Sequence, residues 1–167
     1  MDLTRYVGWI VFAHVLGAFL FAAGHGVSLF VAFQVRRERD RARIGALLDA
    51  SSAALIAAYV GLLILVIAGI LAGIVLQSFG RWWIWVSLGA LIAIAIAMTP
   101  LGIAYFNGIR MAIGQRTRDL KDTDPDPVPV SDAELETVLA SRRPEQLLAI
   151  GGGGFVVILF LMMFKPF

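Results

Sequence analysis

From Tyr6 to Val35 the chain carries no Asp, Glu, Lys or Arg, and three further stretches share that property: Ser51 to Leu76, Trp83 to Asn107 and Leu147 to Phe164. A helix rises about 1.5 Å per residue, so each stretch is long enough to cross the roughly 30 Å hydrocarbon layer of a bilayer. The chain is 59% hydrophobic and 16% charged, more apolar surface than a soluble domain of 167 residues could hide. The expectation is an all-α integral membrane four-helix bundle. Its spans lie at about 6–35, 51–76, 83–107 and 147–164, its charged loops at 36–50 and 108–146, and nothing remains for a separate soluble domain.

Orientation follows from charge. The run Arg36 to Arg43 holds five arginines against two acids in a short loop, which by the positive-inside rule is cytoplasmic. Both chain ends are then expected on the outer side. The first stretch is too long for a signal-peptide core and Asp2 spoils a basic leader, so it is expected to be retained. Trp82, Trp83 and Trp85 follow the tight turn Gln77 to Arg81, where indoles anchor at headgroup level. The net charge of +2 is explained by these flanking residues and gives no reason to expect nucleic acid as a partner.

Several local features point to packing and turns. Gly69 and Gly73 stand in the GxxxG spacing that lets helix backbones approach, although a glycine-rich chain produces that spacing by chance as well. Pro100 removes a backbone hydrogen bond and should bend the third span. Asp122 to Asp132 carries Pro125, Pro127 and Pro129 at alternate positions and should be extended. Ser131 with Glu134 forms a capping box for a short helix to Leu139, whose apolar side (Leu135, Val138, Leu139) is free to lie on the bundle or on the membrane surface. Gly151 to Gly154 would be costly in a soluble helix and tolerable in lipid, where unfolding strands polar backbone groups.

Absences narrow the chemistry. With no cysteine there are no disulfides, thiolate nucleophiles, iron–sulfur clusters or cysteine-held metals. No carboxylate or ammonium group lies in the middle of a span, which disfavours a proton-coupled transporter or pump.

What remains at membrane depth is a pair of imidazoles, His14 and His25. Eleven helical steps return to within about 20° of the starting direction and advance about 16 Å, so the two are expected on one face at two depths. That arrangement is one way a helix holds two stacked b-type haems. Gly17 and Ala18 after His14, and Ala22 before His25, are small enough to leave a slot for a flat macrocycle, or equally to admit a neighbouring helix.

Second iron donors would have to be Met98 or Tyr59 at the depth of His25, and Met162 or Met163 at that of His14. Otherwise a homodimer would pair each histidine with its copy, or the haem would be five-coordinate. The alternative readings are a cofactor-free accessory subunit of a larger membrane complex, whose 110–145 loop docks a cytoplasmic protein, and copper handling through His and Met.

The segment Phe12 to Gly24, FAHVLGAFLFAAG, followed by VAFQVRRERDRAR, resembles the first span of an uncharacterised family of small four-helix bacterial membrane proteins, domain of unknown function two-two-six-nine. The likeness runs over the first three spans, to about Gly114. More distantly the pattern is similar to the copper-resistance D-type membrane proteins and to the haem-containing four-helix protoporphyrinogen oxidase. The resemblance implies a multi-pass protein of a bacterial plasma membrane. It also implies that His14, which matches a first-span haem ligand of that oxidase by position, is an axial ligand of haem b. The chain lacks the intramembrane lysine of that oxidase, which argues against porphyrinogen oxidation. One or two haems carrying electrons across the bilayer is the leading expectation.

Overall fold

The computed structural model describes residues 4–166. Among these there is no strand, and four helical stretches are long and apolar enough to cross a membrane. Helix α1 is Val7–Gln34, α2 is Arg41–Val75, α3 is Trp82–Ala112, α4 is Asp132–Leu139, α5 is Arg143–Leu147 and α6 is Gly153–Phe164. A π-helical turn, Leu148–Gly152, joins α5 to α6 without a break.

The helices associate as two pairs, α1 with α2 and α3 with α6. On α1 the residues Gly17, Gly24, Ser28 and Val31 are buried, with Val35 just beyond the helix, and His14 and Phe21 complete a spacing of alternating three and four. That is the seam of a left-handed helix pair with a period near 3.5 residues. Contacts run antiparallel along it. Gly17 meets Gly61 and Leu65, Gly24 meets Ala54 and Ala58, and Ser28 meets Ser51. A Cβ added to Gly17 would stand 2.5 Å from the Leu65 nitrogen and 2.8 Å from the Gly61 oxygen, so here the two backbones touch. The Ser51 hydroxyl donates to Ser28 Oγ at 3.0 Å, an internal solution for two buried hydroxyls.

The GxxxG pair of α2 is used differently. Gly69 faces the His14 ring and Gly73 faces the Phe79 ring, so both accept side chains and neither is a backbone crossing. In the second pair the glycine run is a socket: Met98 of α3 lies against Gly151 and Ile94, one turn earlier, against Gly154. Lys165, after α6, stands 5.7 Å from the centre of the Trp83 ring at the start of α3. The end of α6 thus lies beside the α2–α3 turn, with the connecting loops at the opposite end.

At that loop end lies the apolar core. Val35, Ile44, Leu48 and Ile109 are fully buried there, and α4 adds Leu135 and Leu139. Here apolar side chains from the helix ends and from α4 cover one another. Tyr105 ties the pairs together by donating its hydroxyl to the Ala32 carbonyl at 2.9 Å.

Two boundaries differ from those expected. Helix α2 begins at Arg41, ten residues before Ser51, because Asp40 caps it by accepting from the Ala42 and Arg43 nitrogens and because Ile44 and Leu48 are core residues. The charged first loop is therefore little more than a turn. Helix α3 likewise continues past Asn107 to Ala112, carrying Ile109 into the same core. The Ser131–Glu134 capping box forms, and the apolar side of α4 turns to the protein's own core, which leaves that face closed to an outside partner.

A clasp of ion pairs holds the second loop on the first. Arg36 binds Glu145, Arg39 stands 3.3 Å from Glu136, and Arg41 reaches Asp132 at 2.7 Å. Exposed pairs of this kind contribute about 0–1 kcal/mol each. Arg41 does more, since it also donates to the carbonyls of Val130 at 2.6 Å and Ala112 at 3.3 Å. The bond from Arg36 holds the Glu145 carboxyl below its ordinary 4.5. A depressed carboxyl stabilises the fold when ionised, above its unfolded value, and loses that contribution as the pH falls through the folded one. Thermal melts in detergent should therefore show a drop in stability as the pH is taken below 4.5, a drop reduced in Glu145→Gln. Identical acid profiles for the two proteins would remove Glu145 from the clasp.

Candidate functional site

His14 sits on the seam of α1, and its ring crosses to α2. Nδ1 lies 2.9 Å from the Leu65 carbonyl oxygen, and because a carbonyl only accepts, Nδ1 carries the proton. In a regular helix that same oxygen accepts from the nitrogen of Gly69 one turn on. Gly69 makes the second bond possible: a Cβ there would be 3.0 Å from both Cε1 and Nδ1 of the imidazole.

His25 follows Gly24 and so stands one position off the seam. With a period of 3.5 residues, eleven steps leave it about 50° from His14 rather than in line with it. Its Nδ1 lies 3.2 Å from the carbonyl of Phe21, one turn back in its own helix. The ring packs on the Phe21 ring at 4.3 Å between centres. One imidazole therefore bridges two helices and the other folds back on α1. In the neutral ring Nε2 is then the lone-pair nitrogen; neither Nε2 has a hydrogen-bond partner among the described residues, and neither is enclosed.

The other expected site residues are distributed elsewhere. Gly17 is in backbone contact with α2, and Ala18 and Ala22 are half-buried. Met98 lies in the glycine socket of the other pair, Met162 is half-buried on α6, and Met163 and Tyr59 are exposed. Among the described residues neither imidazole hydrogen-bonds a methionine sulfur, and no three His, Asp or Glu side chains converge as metal ligands would.

These positions test the fit of a haem. The slot expected beside His14 is filled on one side by the α2 backbone at Gly17 and on the other by the imidazole itself against Gly69. A porphyrin sandwiched between His14 and a methionine of the same chain does not fit this arrangement. What the geometry retains is an oriented imidazole: a proton is fixed on Nδ1 by a carbonyl, and Nε2 has no partner among the described residues.

Sequence reasoning missed the Ser28–Ser51 pair. Its signal was present: Ser28 falls at the spacing of three and four set by Gly17 and Gly24. The structure also leaves open faces that no pattern announced. Between Ser87 and Tyr105 no residue of α3 is buried, and Gly89 and Gly102 have empty space where a side chain would stand. Comparison with protein-family models, with curated proteins and with solved structures gives no match.

Proposed function

We propose that this chain is a cofactor-free accessory subunit of a bacterial plasma-membrane complex, its loops cytoplasmic and its ends outside, acting through helix faces that receive partner helices. The observation that carries this reading is the unburied middle of α3, where Gly89 and Ala93 are four residues apart on an exposed face. Small residues in that spacing let a second helix approach closely, and lipid tails gain little from packing on bare backbone. By contrast Gly17 and Gly24 of α1 and Gly61 of α2 are already packed against the partner helix.

The absence of native cysteine makes the test clean. Ala93→Cys in native membranes should cross-link into one discrete adduct and resist a lipid-soluble maleimide, whereas Ile56→Cys, on an exposed face of α2, should be freely labelled. Equal labelling of the two with no adduct would overturn the reading, as would a Soret band in the purified protein.

That last outcome favours the second reading, a b-type haem held by an imidazole Nε2 with its other ligand absent or supplied by a second copy. Its support is the anchoring of both Nδ1 atoms on carbonyls, the way protein frameworks orient metal-binding histidines, together with the likeness of the first span. A bound haem would supply one-electron transfer. The part of this chain's residues would be to hold the ring plane and the tautomer.

A further inference from the structure

At the loop end of α1, Phe30, Gln34, Arg37, Glu38 and Leu47 line an open groove of about 290 Å³ between α1 and α2. Its composition changes with depth. Phe30, exposed and one turn deeper along α1, and Leu47 provide an apolar floor, while Gln34 and Arg37 stand where the chain leaves the apolar zone.

The charges in this region are unevenly committed. Of the five arginines between positions 36 and 43, Arg36, Arg39, Arg41 and Arg43 each have a carboxylate partner within the chain. Arg37 has none among the described residues, and the Gln34 amide makes no hydrogen bond there. Glu38 is the one acid in the groove. Its carboxylate accepts from the backbone nitrogens of Arg39 and Asp40 and faces Arg43 at 4.0 Å, so its charge is already answered. Those backbone bonds also hold its carboxyl below the ordinary carboxylate range.

An uncommitted guanidinium beside a free amide, over an exposed aromatic ring at the level where the span ends, matches one chemistry: a phosphodiester headgroup with its acyl chain running back along the helix. We infer that this groove is a binding site for one anionic glycerophospholipid of the cytoplasmic leaflet. The guanidinium and amide take the phosphate, and Phe30 takes the first part of the acyl chain. This rests on the membrane orientation proposed above, and it stands whether or not α3 binds a partner or an imidazole binds haem.

The test is native mass spectrometry of the full chain in detergent, titrated with phosphatidylglycerol, with phosphatidylcholine or with inorganic phosphate. Phosphatidylglycerol should give one adduct at concentrations where phosphatidylcholine gives none. A basic side chain at an anionic surface is worth about fivefold in affinity, so Arg37→Gln should weaken that adduct by about fivefold. Arg118→Gln, which removes an exposed arginine outside the groove, should leave it unchanged. Phe30→Ala should weaken the lipid adduct as well, with secondary structure by circular dichroism intact in every variant.

Equal losses in Arg37→Gln and Arg118→Gln would overturn the site. So would equal binding of the two lipids. Inorganic phosphate binding as tightly as the lipid, indifferent to Phe30→Ala, would make it a soluble-anion site and overturn the lipid assignment.

Discussion

Valine in place of Gly24 lowers the stability of the detergent-solubilised protein by about 1–3 kcal/mol, the cost of overfilling a close-packed contact, while valine in place of Gly26 leaves it nearly unchanged. The two glycines are a single residue apart on either side of His25, in the same helix and at nearly the same depth. Their surroundings differ completely. A Cβ on Gly24 would stand 2.5 Å from the Ala54 oxygen and 2.7 Å from the Ala58 Cβ, whereas one on Gly26 would meet nothing within 4 Å. The obstruction at Gly24 is backbone, which cannot rotate away as a side-chain tip would, so α1 must lift from α2 over this part of the seam.

That lift stretches the neighbouring contacts. The Ser28–Ser51 bond, one turn further on, loses its geometry and leaves two hydroxyls in an apolar setting, which adds to the cost. Thermal unfolding followed by size-exclusion fluorescence checks both variants. Equal destabilisation would mean that helix propensity, common to the two sites, decides the outcome, and that the seam contact carries little energy.

The same pair of glycines shows what the sequence discloses and what it withholds. Hydrophobic length alone marks four helices able to cross a bilayer, because a crossing demands an uninterrupted apolar run and few other structures do. The Ser131–Glu134 cap is legible for a similar reason: its two hydrogen bonds are local and depend on residues three apart. Which glycines touch which helix is another matter. Gly69 and Gly73 have the recognised spacing yet receive rings, while Gly17 and Gly24, seven apart, are where helix backbones meet. Spacing identifies a face of one helix, and the partner's residues decide what fills it.

The start of α2 was hidden for a different reason. The stretch from Arg41 to Ala50 reads as a charged loop by composition, but Ile44 and Leu48, four residues apart, are the face that builds the core at the loop end. Likewise the two histidines share a direction only if the helix is straight and its period 3.6. Pairing with α2 sets a seam of period 3.5, which admits His14 and leaves His25 beside it.

Leu139→Ala is expected to release the second loop, at a cost of about 2–5 kcal/mol for truncating a fully buried leucine. Leu139 is 1% exposed and packs in the buried cluster at the loop end, alongside Leu135 from the previous turn of α4. Helix α4 is only Asp132–Leu139, too short to persist on its own capping box, so its folding depends on docking those two leucines. The ion pairs Arg39–Glu136 and Arg41–Asp132 cannot replace the leucine contact, because each is solvent-exposed on its acidic side and contributes about 0–1 kcal/mol.

The truncation should therefore act locally. Once α4 undocks, Val130 loses its place, and with it go the hydrogen bonds from the Val130 nitrogen to the Ala112 oxygen and from Arg41 to the Val130 oxygen. The segment between Gln115 and Ser131 then becomes open to protease, while the α1–α2 seam, whose contacts lie further along the spans, survives. Limited proteolysis with mass analysis of the fragments reads this directly: wild type resists cleavage in that segment, and Leu139→Ala is cut there first. Cleavage spread evenly over both loops would show that the loop-end core holds α1 and α2 together as well, and that the two helical pairs do not stand independently.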